Sequence, residues 1–312
     1  MSIRNSITAS GLLRFVLTCV VSFMLLAARG QCFLDELSKD LVDAKTSQVF
    51  KSFIAGNEDA MYAYKKLWQA NRTELRKSAD ALFIYTEAIR NPKLRQLGFT
   101  DDILARVKGS RLDEGSFVTV MTDLDRFGKT MAAHPTIEFD NFGSLIGKLT
   151  DGNPQNTQAA HWIIQDLTEN ANDFAGKKWN IELSVKNSDD NYAFIDLASN
   201  GDPQKFIEYK WLTINTVSKE DFIREFLKRD LYNPDLRGLS LLEWRIKGNK
   251  LAKAKVQEYL KSAEGREALE SLGYEKAKAL FPDDIAKFNE DNFVSFIINK
   301  FNQDDVFSAV FK

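Results

Sequence analysis

The sequence predicts a mixed fold, α+β or α/β, in which an all-helical N-terminal module precedes a sheet domain and helices close the chain. Three observations predict it. Apolar residues recur at helical spacing through the first half, as in "AMYAYKKLWQA" (Ala60 to Ala70) and "SADALFIYTEAIR" (Ser78 to Arg90). After Gly176 the period becomes extended, in "KWNIELSV", "NYAFIDLA" and "KFIEYKWL". The clusters "KNSDD" and "SNGDPQ" separate those runs as turns, with gaps that suit a meander.

The chain has 312 residues, 44% of them apolar, enough for one large or two small domains. Its net charge of −2 argues against coating nucleic acid through bulk charge, while leaving room for a local basic patch. Residues 1–30 have the layout of a secretory signal peptide. Arg4 and Arg14 precede the apolar run Phe15 to Ala28, and small residues at Ala28 and Gly30 suit cleavage before Gln31. The run is short for a spanning helix. An exported or secreted protein without stable membrane association is expected, with an uncleaved anchor as the alternative. Cleavage removes Cys19 and leaves Cys32 alone, so no internal disulfide is expected. His134 and His161 lack metal-ligand spacing, and no Gly-rich phosphate loop appears.

Residues 31–150 read as a helical accessory module. Met61, Tyr64, Leu67 and Trp68 form its packing side, Thr100 caps a helix before Ile103, and another helix runs from about Ser116 to Ala133. The loop "DGNPQNTQ" (Asp151 to Gln158) suggests a domain boundary. The second domain, 155–262, begins with "AAHWIIQDLTENANDF", which carries Glu169 in its second half. The three strands follow, then the helix "SKEDFIREFLKRDLY" capped by Ser218. "SLLEWRIK" (Ser240 to Lys247) is a fourth strand, ended by Gly248-Asn249. Residues 263–312 are a C-terminal helical extension.

Within "KFIEYKWL", strand alternation sets Phe206, Glu208, Lys210 and Leu212 on one face and Ile207, Tyr209 and Trp211 on the other. Apolar residues on both faces suggest a central strand covered on both sides. Charges there cost several kcal/mol each unless paired or bound to a cation, on the order given for buried ions. Asp196 interrupts the preceding strand in the same way. Two carboxylates and a lysine on adjacent strands suit metal-assisted hydrolysis. Asp196 and Glu208 supply hard oxygens for magnesium or another divalent cation, and Lys210 can orient or deprotonate the attacking water. The competing reading is a cross-strand ion pair at a sheet edge. Arg245, Lys247, Lys250, Lys253 and Lys255, with no acid among them, suit contacts to phosphates, or else form a solvated lysine-rich face.

Asp196 followed twelve positions later by Glu208-Tyr209-Lys210 resembles the PD-(D/E)XK motif of the restriction-endonuclease-like nucleases. More closely, "AAHWIIQDLTEN", "FIEYKW" and "FLKRDLYN" look like the C-terminal nuclease domains of bacterial polymorphic toxins, over roughly Ala159 to Lys261. The resemblance implies a restriction-endonuclease-like core, metal binding by Asp196 and Glu208, a catalytic Lys210, and Glu169 as the acid of the preceding helix. Asp166 lies one turn from Glu169, and Ile195 stands where the motif has proline. The implied protein is an exported toxin that cuts DNA or RNA and needs a cognate immunity protein. The rival is a secreted binding or structural protein on a degenerate nuclease-like fold.

Overall fold

The structure, a computed structural model, describes residues 48, 51–109, 116–188, 191–212 and 217–312. The expected signal segment, its cleavage site and Cys32 lie outside the described residues. Among those described, no helix is long and apolar enough to cross a membrane. The chain divides into two compact units, one ending at Glu87 and one running from Ala88 to Lys312.

In the first unit, α1 (Glu58–Gln69) starts where the Asn57 side chain accepts the Ala60 N–H at 3.1 Å. Acidic Glu58 and Asp59 then sit in the positive first turn. Ala60, Ala63, Tyr64 and Leu67 are buried at helical spacing. Trp68, expected on that packing side, is 44% exposed, with the Arg76 guanidinium 3.5 Å from its ring centre. The helix α2 (Ala79–Arg90) closes the unit and continues past its end.

The second unit is a mixed α+β domain. Ser116 caps α3 (Phe117–Ala133), and Asn141 precedes α4 (Phe142–Thr150). Asn153 caps α5 (Pro154–Glu169), with Pro154 in the first turn, where its missing N–H costs nothing. A short strand β1 (Glu138–Asp140), too brief to register as a period, lies between α3 and α4. The remaining strands are β2 (Lys178–Lys186), β3 (Tyr192–Ser199), β4 (Phe206–Leu212) and β5 (Leu242–Gly248). Between β4 and β5 lies α6, an α-helical turn (Lys219–Asp221) widening into a π-type stretch (Phe222–Asp230). Its i→i+5 bonding is seen at its end, where Leu231 N–H donates to Phe226 O at 2.9 Å. Helices α7 (Lys253–Lys261), α8 (Ala263–Leu272), α9 (Tyr274–Leu280), α10 (Phe293–Lys300) and α11 (Asp304–Val310) follow.

The sheet order is β1-β2-β3-β4-β5. β2, β3 and β4 form the antiparallel meander, while β1 with β2 and β4 with β5 are parallel. A parallel neighbour needs a crossover, which α6 supplies. β4 is covered on both faces, as its two apolar sides predict. Phe206 faces a core with Leu242, Trp244, Phe222, Phe226 and Phe301, and Trp244 meets the Phe226 ring edge-on at 5.2 Å. On the opposite face Tyr209 meets Trp162 of α5 edge-on at 5.0 Å. β5 ends at Gly248, whose φ of 92° lets Asn249 N–H reach Leu212 O at 3.0 Å.

The expected boundary at Asp151 to Gln158 lies inside the second unit, not between units. Its flanking helices are tied across it, since Thr157 Oγ1 donates to Lys148 O at 3.4 Å. Helices between residues 88 and 150, read from sequence as part of the accessory module, thus belong to the sheet domain. The physical reason is local. Three polar residues that cap a helix and three that separate domains have the same composition.

Candidate active site

β3 and β4 pair only through Leu197↔Ile207 and Ala198↔Phe206, and beyond these the strands diverge. Asp196 sits at the divergence, where its Oδ2 accepts the Tyr209 N–H at 2.9 Å. The carboxylate thus replaces the ladder partner that the splayed strand has lost. Its Oδ1 lies 3.8 Å from Lys148 Nζ, which pairs with Glu182 at 2.5 Å. Glu182, at φ 55°, also accepts from Ser144 Oγ. Positive φ is unusual for a residue with a side chain, and no ladder pair joins Glu182 to Asp196 although pairs flank them on both sides.

Glu208 is buried and faces α6. Its Oε2 lies 3.4 Å from Lys210 Nζ, and its Oε1 lies 2.5 Å from Arg229 Nη2. The latter contact lacks hydrogen-bond geometry, and neither of its two atoms has another hydrogen-bond partner. Lys210 Nζ donates to Glu225 Oε2 at 2.7 Å and lies 5.1 Å from the Trp244 ring centre. Arg229 Nε donates to Asp230 Oδ1 at 2.5 Å, and Trp244 Nε1 donates to Asp230 Oδ2 at 2.6 Å. The wide turns of α6 bring Glu225, Arg229 and Asp230 into this one network.

Burial pushes the Glu208 carboxyl well above the ordinary carboxylate range. Neighbouring Asp196 and Asp230 add to that rise, against the opposing charges of Lys210 and Arg229. Burial alone would lower Lys210, but Glu208 and Glu225 outweigh it and hold the ammonium above its ordinary value. Burial likewise opposes Glu225 ionisation, and the charge and hydrogen bond of Lys210 reverse it, so Glu225 is held low. A cavity of about 350 Å³ lined by Lys210, Ser218, Asp221, Arg224 and Glu225 opens beside the network.

The opposite face of β4 carries a second network. Tyr209 Oη donates to Asp166 Oδ2 at 2.5 Å, and Arg245 Nη1 reaches the same oxygen at 2.5 Å. Arg245 also pairs with Glu243 at 3.1 Å and Asp173 at 3.3 Å, while Lys205 and Lys312 hold the other oxygen of Glu243. Burial, then the charge of Asp166, raise the Tyr209 hydroxyl well above its usual value.

Of the residues expected from sequence, Glu208 and Lys210 lie 3.4 Å apart facing α6, while Asp196 acts on Glu208 through its charge and makes its own contacts with Tyr209 N–H and Lys148. Glu169 is exposed at the end of α5, whereas Asp166 faces inward to Tyr209. The basic stretch does not form one surface. Arg245 is buried among acids, Lys247 donates to Gln165 Oε1 at 2.9 Å, and Lys250 is exposed. Lys253 pairs with Asp304, and Lys255 with Glu258 at 2.8 Å. Sequence reasoning missed Glu225, Arg229 and Asp230. The interleaved charges of "FIREFLKRD" read as a solvated helix, and the signal that could have found them is the spacing of acids and bases opposite Glu208.

Comparison of the chain with family models, with curated proteins and with solved structures finds no match.

Proposed function

We propose that the chain is a metal-dependent nuclease, an exported toxin that hydrolyses phosphodiester bonds on a restriction-endonuclease-like core. The observation that supports this reading is the buried Glu208–Lys210 pair within reach of the Asp196 charge, beside the parting of β3 and β4, on a helix–meander–helix–strand order. Among the described residues no three His, Cys, Asp or Glu side chains gather to hold a metal. Magnesium, however, is often held by one or two carboxylates, with water and substrate phosphate completing its shell. The donors are hard oxygens of that class, with Glu208 Oε1 held 2.5 Å from Arg229 Nη2 and Asp196 Oδ2 accepting the Tyr209 N–H. Asp196 and Glu208 would hold the ion, which when bound supplies charge neutralisation at the phosphate and a more acidic water.

The chain's own groups do the rest. Lys210, which lines the cavity, offsets charge that develops on the phosphate oxygens. Glu225 fixes the ammonium position through its 2.7 Å bond. The Tyr209 N–H orients the Asp196 carboxylate. A toxin of this kind has nucleic acid as substrate and a cognate immunity protein as partner.

One observation favours a second reading, a non-catalytic binding or structural protein. Lys210 and Arg229 already neutralise Glu208, as they would in a structural charge network. The two readings separate in one experiment. Magnesium binding and degradation of plasmid DNA and total RNA are measured for the purified chain, for Asp196→Asn and for Glu208→Gln. The nuclease reading expects metal affinity and cleavage to fall together in folded variants. A parent chain that binds no divalent ion and cuts neither substrate supports the structural network.

A further inference from the structure

Glu208 is a buried carboxylate with two cations on it, and they are held in different ways. Lys210 shares its face of β4, two residues further along, and lies 3.4 Å from Oε2. Its ammonium is fixed from the far side, by the 2.7 Å bond to Glu225 and by the Trp244 ring. Arg229 comes from α6, outside the sheet, and sets Nη2 2.5 Å from Oε1 without the geometry of a hydrogen bond. Its firm attachment is elsewhere. Arg229 Nε donates to Asp230 Oδ1 at 2.5 Å, and Trp244 Nε1 holds the other oxygen of Asp230.

The charges around Glu208 are balanced. Glu208, Glu225 and Asp230 face Lys210, Arg229 and Arg224. A divalent cation cannot simply be added to such a set, because its two charges would meet two enclosed cations at close range. One resident cation has to leave Glu208 first. Lys210 would lose a hydrogen bond on moving, whereas Arg229 gives up only the attraction of opposite charges and keeps its bond to Asp230. Resting on the reading of Glu208 as a metal ligand, we propose that Arg229 is a plug. Its guanidinium occupies the cation position on Glu208 Oε1 and keeps the site closed until a divalent ion displaces it.

A plug suits a site this deeply buried. With Arg229 in place the chain folds without metal, since Glu208, only 2% exposed, is not left as a lone buried charge. Once it leaves Glu208, Arg229 still has acids to hold it. Burial would lower its guanidinium, and the charges of Asp230, Glu208 and Glu225 outweigh that and hold it above its ordinary value. The movement breaks no strand pairing, because Arg229 lies on the crossover between β4 and β5. The approach is from the cavity, which Lys210 and Glu225 line.

The test uses the full chain, with manganese and magnesium ions as the probes. Binding is read by calorimetry and stability by thermal midpoint, in EDTA and with each ion. The proteins are the parent, Arg229→Gln and a double variant, Glu208→Gln with Arg229→Gln. Arg229→Gln is expected to bind manganese at least about tenfold more tightly than the parent, the low end for removing a unit charge that competes for one oxygen. Its midpoint should fall in EDTA, where Glu208 is stranded, and recover with manganese. The double variant strands no charge, so it should keep the parent midpoint and gain nothing from manganese. Manganese binding by Arg229→Gln that equals the parent's or is weaker overturns the proposal. So does an Arg229→Gln midpoint that manganese fails to restore, because Arg229 is then a structural counter-charge. Manganese stabilisation of the double variant overturns it too, since the ion then sits elsewhere. Cleavage of plasmid DNA and total RNA separates the plug from the nuclease reading. Tighter manganese binding by Arg229→Gln, with no cleavage by either protein, leaves the plug and removes the nuclease. Cleavage with the same metal dependence in the parent and in Arg229→Gln leaves the nuclease and removes the plug.

Discussion

The two faces of β4 carry the same kinds of residue and use them differently. Toward α5, the acids Asp166, Glu243 and Asp173 meet the cations Arg245, Lys205 and Lys312, and every acid has a close cation. Toward α6, three carboxylates, Glu208, Glu225 and Asp230, share two enclosed cations, Lys210 and Arg229, while Arg224 reaches Glu225 from solvent. The first network has its centre, Asp166 and Arg245, buried between a helix and the sheet, with Asp173 and Lys312 reaching solvent. The second borders a cavity and leaves one carboxylate oxygen without a hydrogen bond. Each face thus has a cation for every acid, and what separates them is the cavity beside the second, where an extra positive ligand has room.

The comparison breaks first, and most heavily, on the α5 side. Arg245→Met should cost about 3–5 kcal/mol in urea unfolding, because Asp166 and Tyr209 are left without the cation that balances them. Lys210→Met should cost less, about 1–2 kcal/mol, since Arg229 stays with Glu208 and Arg224 with Glu225. On the nuclease proposal, cleavage should by contrast collapse in Lys210→Met. If Lys210→Met destabilises the chain as much as Arg245→Met, the two faces are equivalent and the open one is structural as well.

Acid titration sharpens the difference within the open face. Glu225 is held below its ordinary value of 4.5, chiefly by Lys210 against the cost of burial. The unfolded chain therefore binds more protons there, and stability present above that value is lost as pH falls through the folded value. Glu208 is held above 4.5 by burial, so its contribution runs the other way, and stability falls as pH rises above 4.5. Urea midpoints across pH 3 to 7 check both signs. Glu225→Gln should flatten the acid limb, and Glu208→Gln should remove the decline above it.

The smallest effect is expected in the lysine-rich stretch. Changing Lys250, Lys253 and Lys255 together to Gln should alter stability by no more than about 0.5 kcal/mol, as for surface positions generally. Their charges do not converge, because Lys253 leans on Asp304 and Lys255 on Glu258. A marked loss of salt dependence in nucleic-acid binding would show that these lysines act together despite their local partners.

Much of the sheet was legible in the residues. The three meander strands run within a residue or two of "KWNIELSV", "NYAFIDLA" and "KFIEYKWL", and the cap at Ser218 and the stop at Gly248 are where turn chemistry puts them. The candidate site was legible only in part. Asp196, Glu208 and Lys210 stand out because charges in an apolar alternation are locally anomalous. Asp230 and Arg229 do not, because in a charged helix nothing local distinguishes the acid that meets Trp244 from one that meets water.

Period-two alternation, capping residues and turn clusters act over a few neighbours, and through them the sequence by itself determined the strands, most helix starts and the two-sided burial of β4. Which charges meet is a matter of distance in space. Asp166 rather than Glu169 faces the sheet because the rotation of α5 follows from how Ile163, Ile164 and Leu167 pack. The polar loop before α5 lies inside a unit because the helices on either side of it are tied together. Asp196 is turned from a ladder residue into a side-chain partner of Tyr209 by the parting of β3 and β4, and only the tertiary structure decided that.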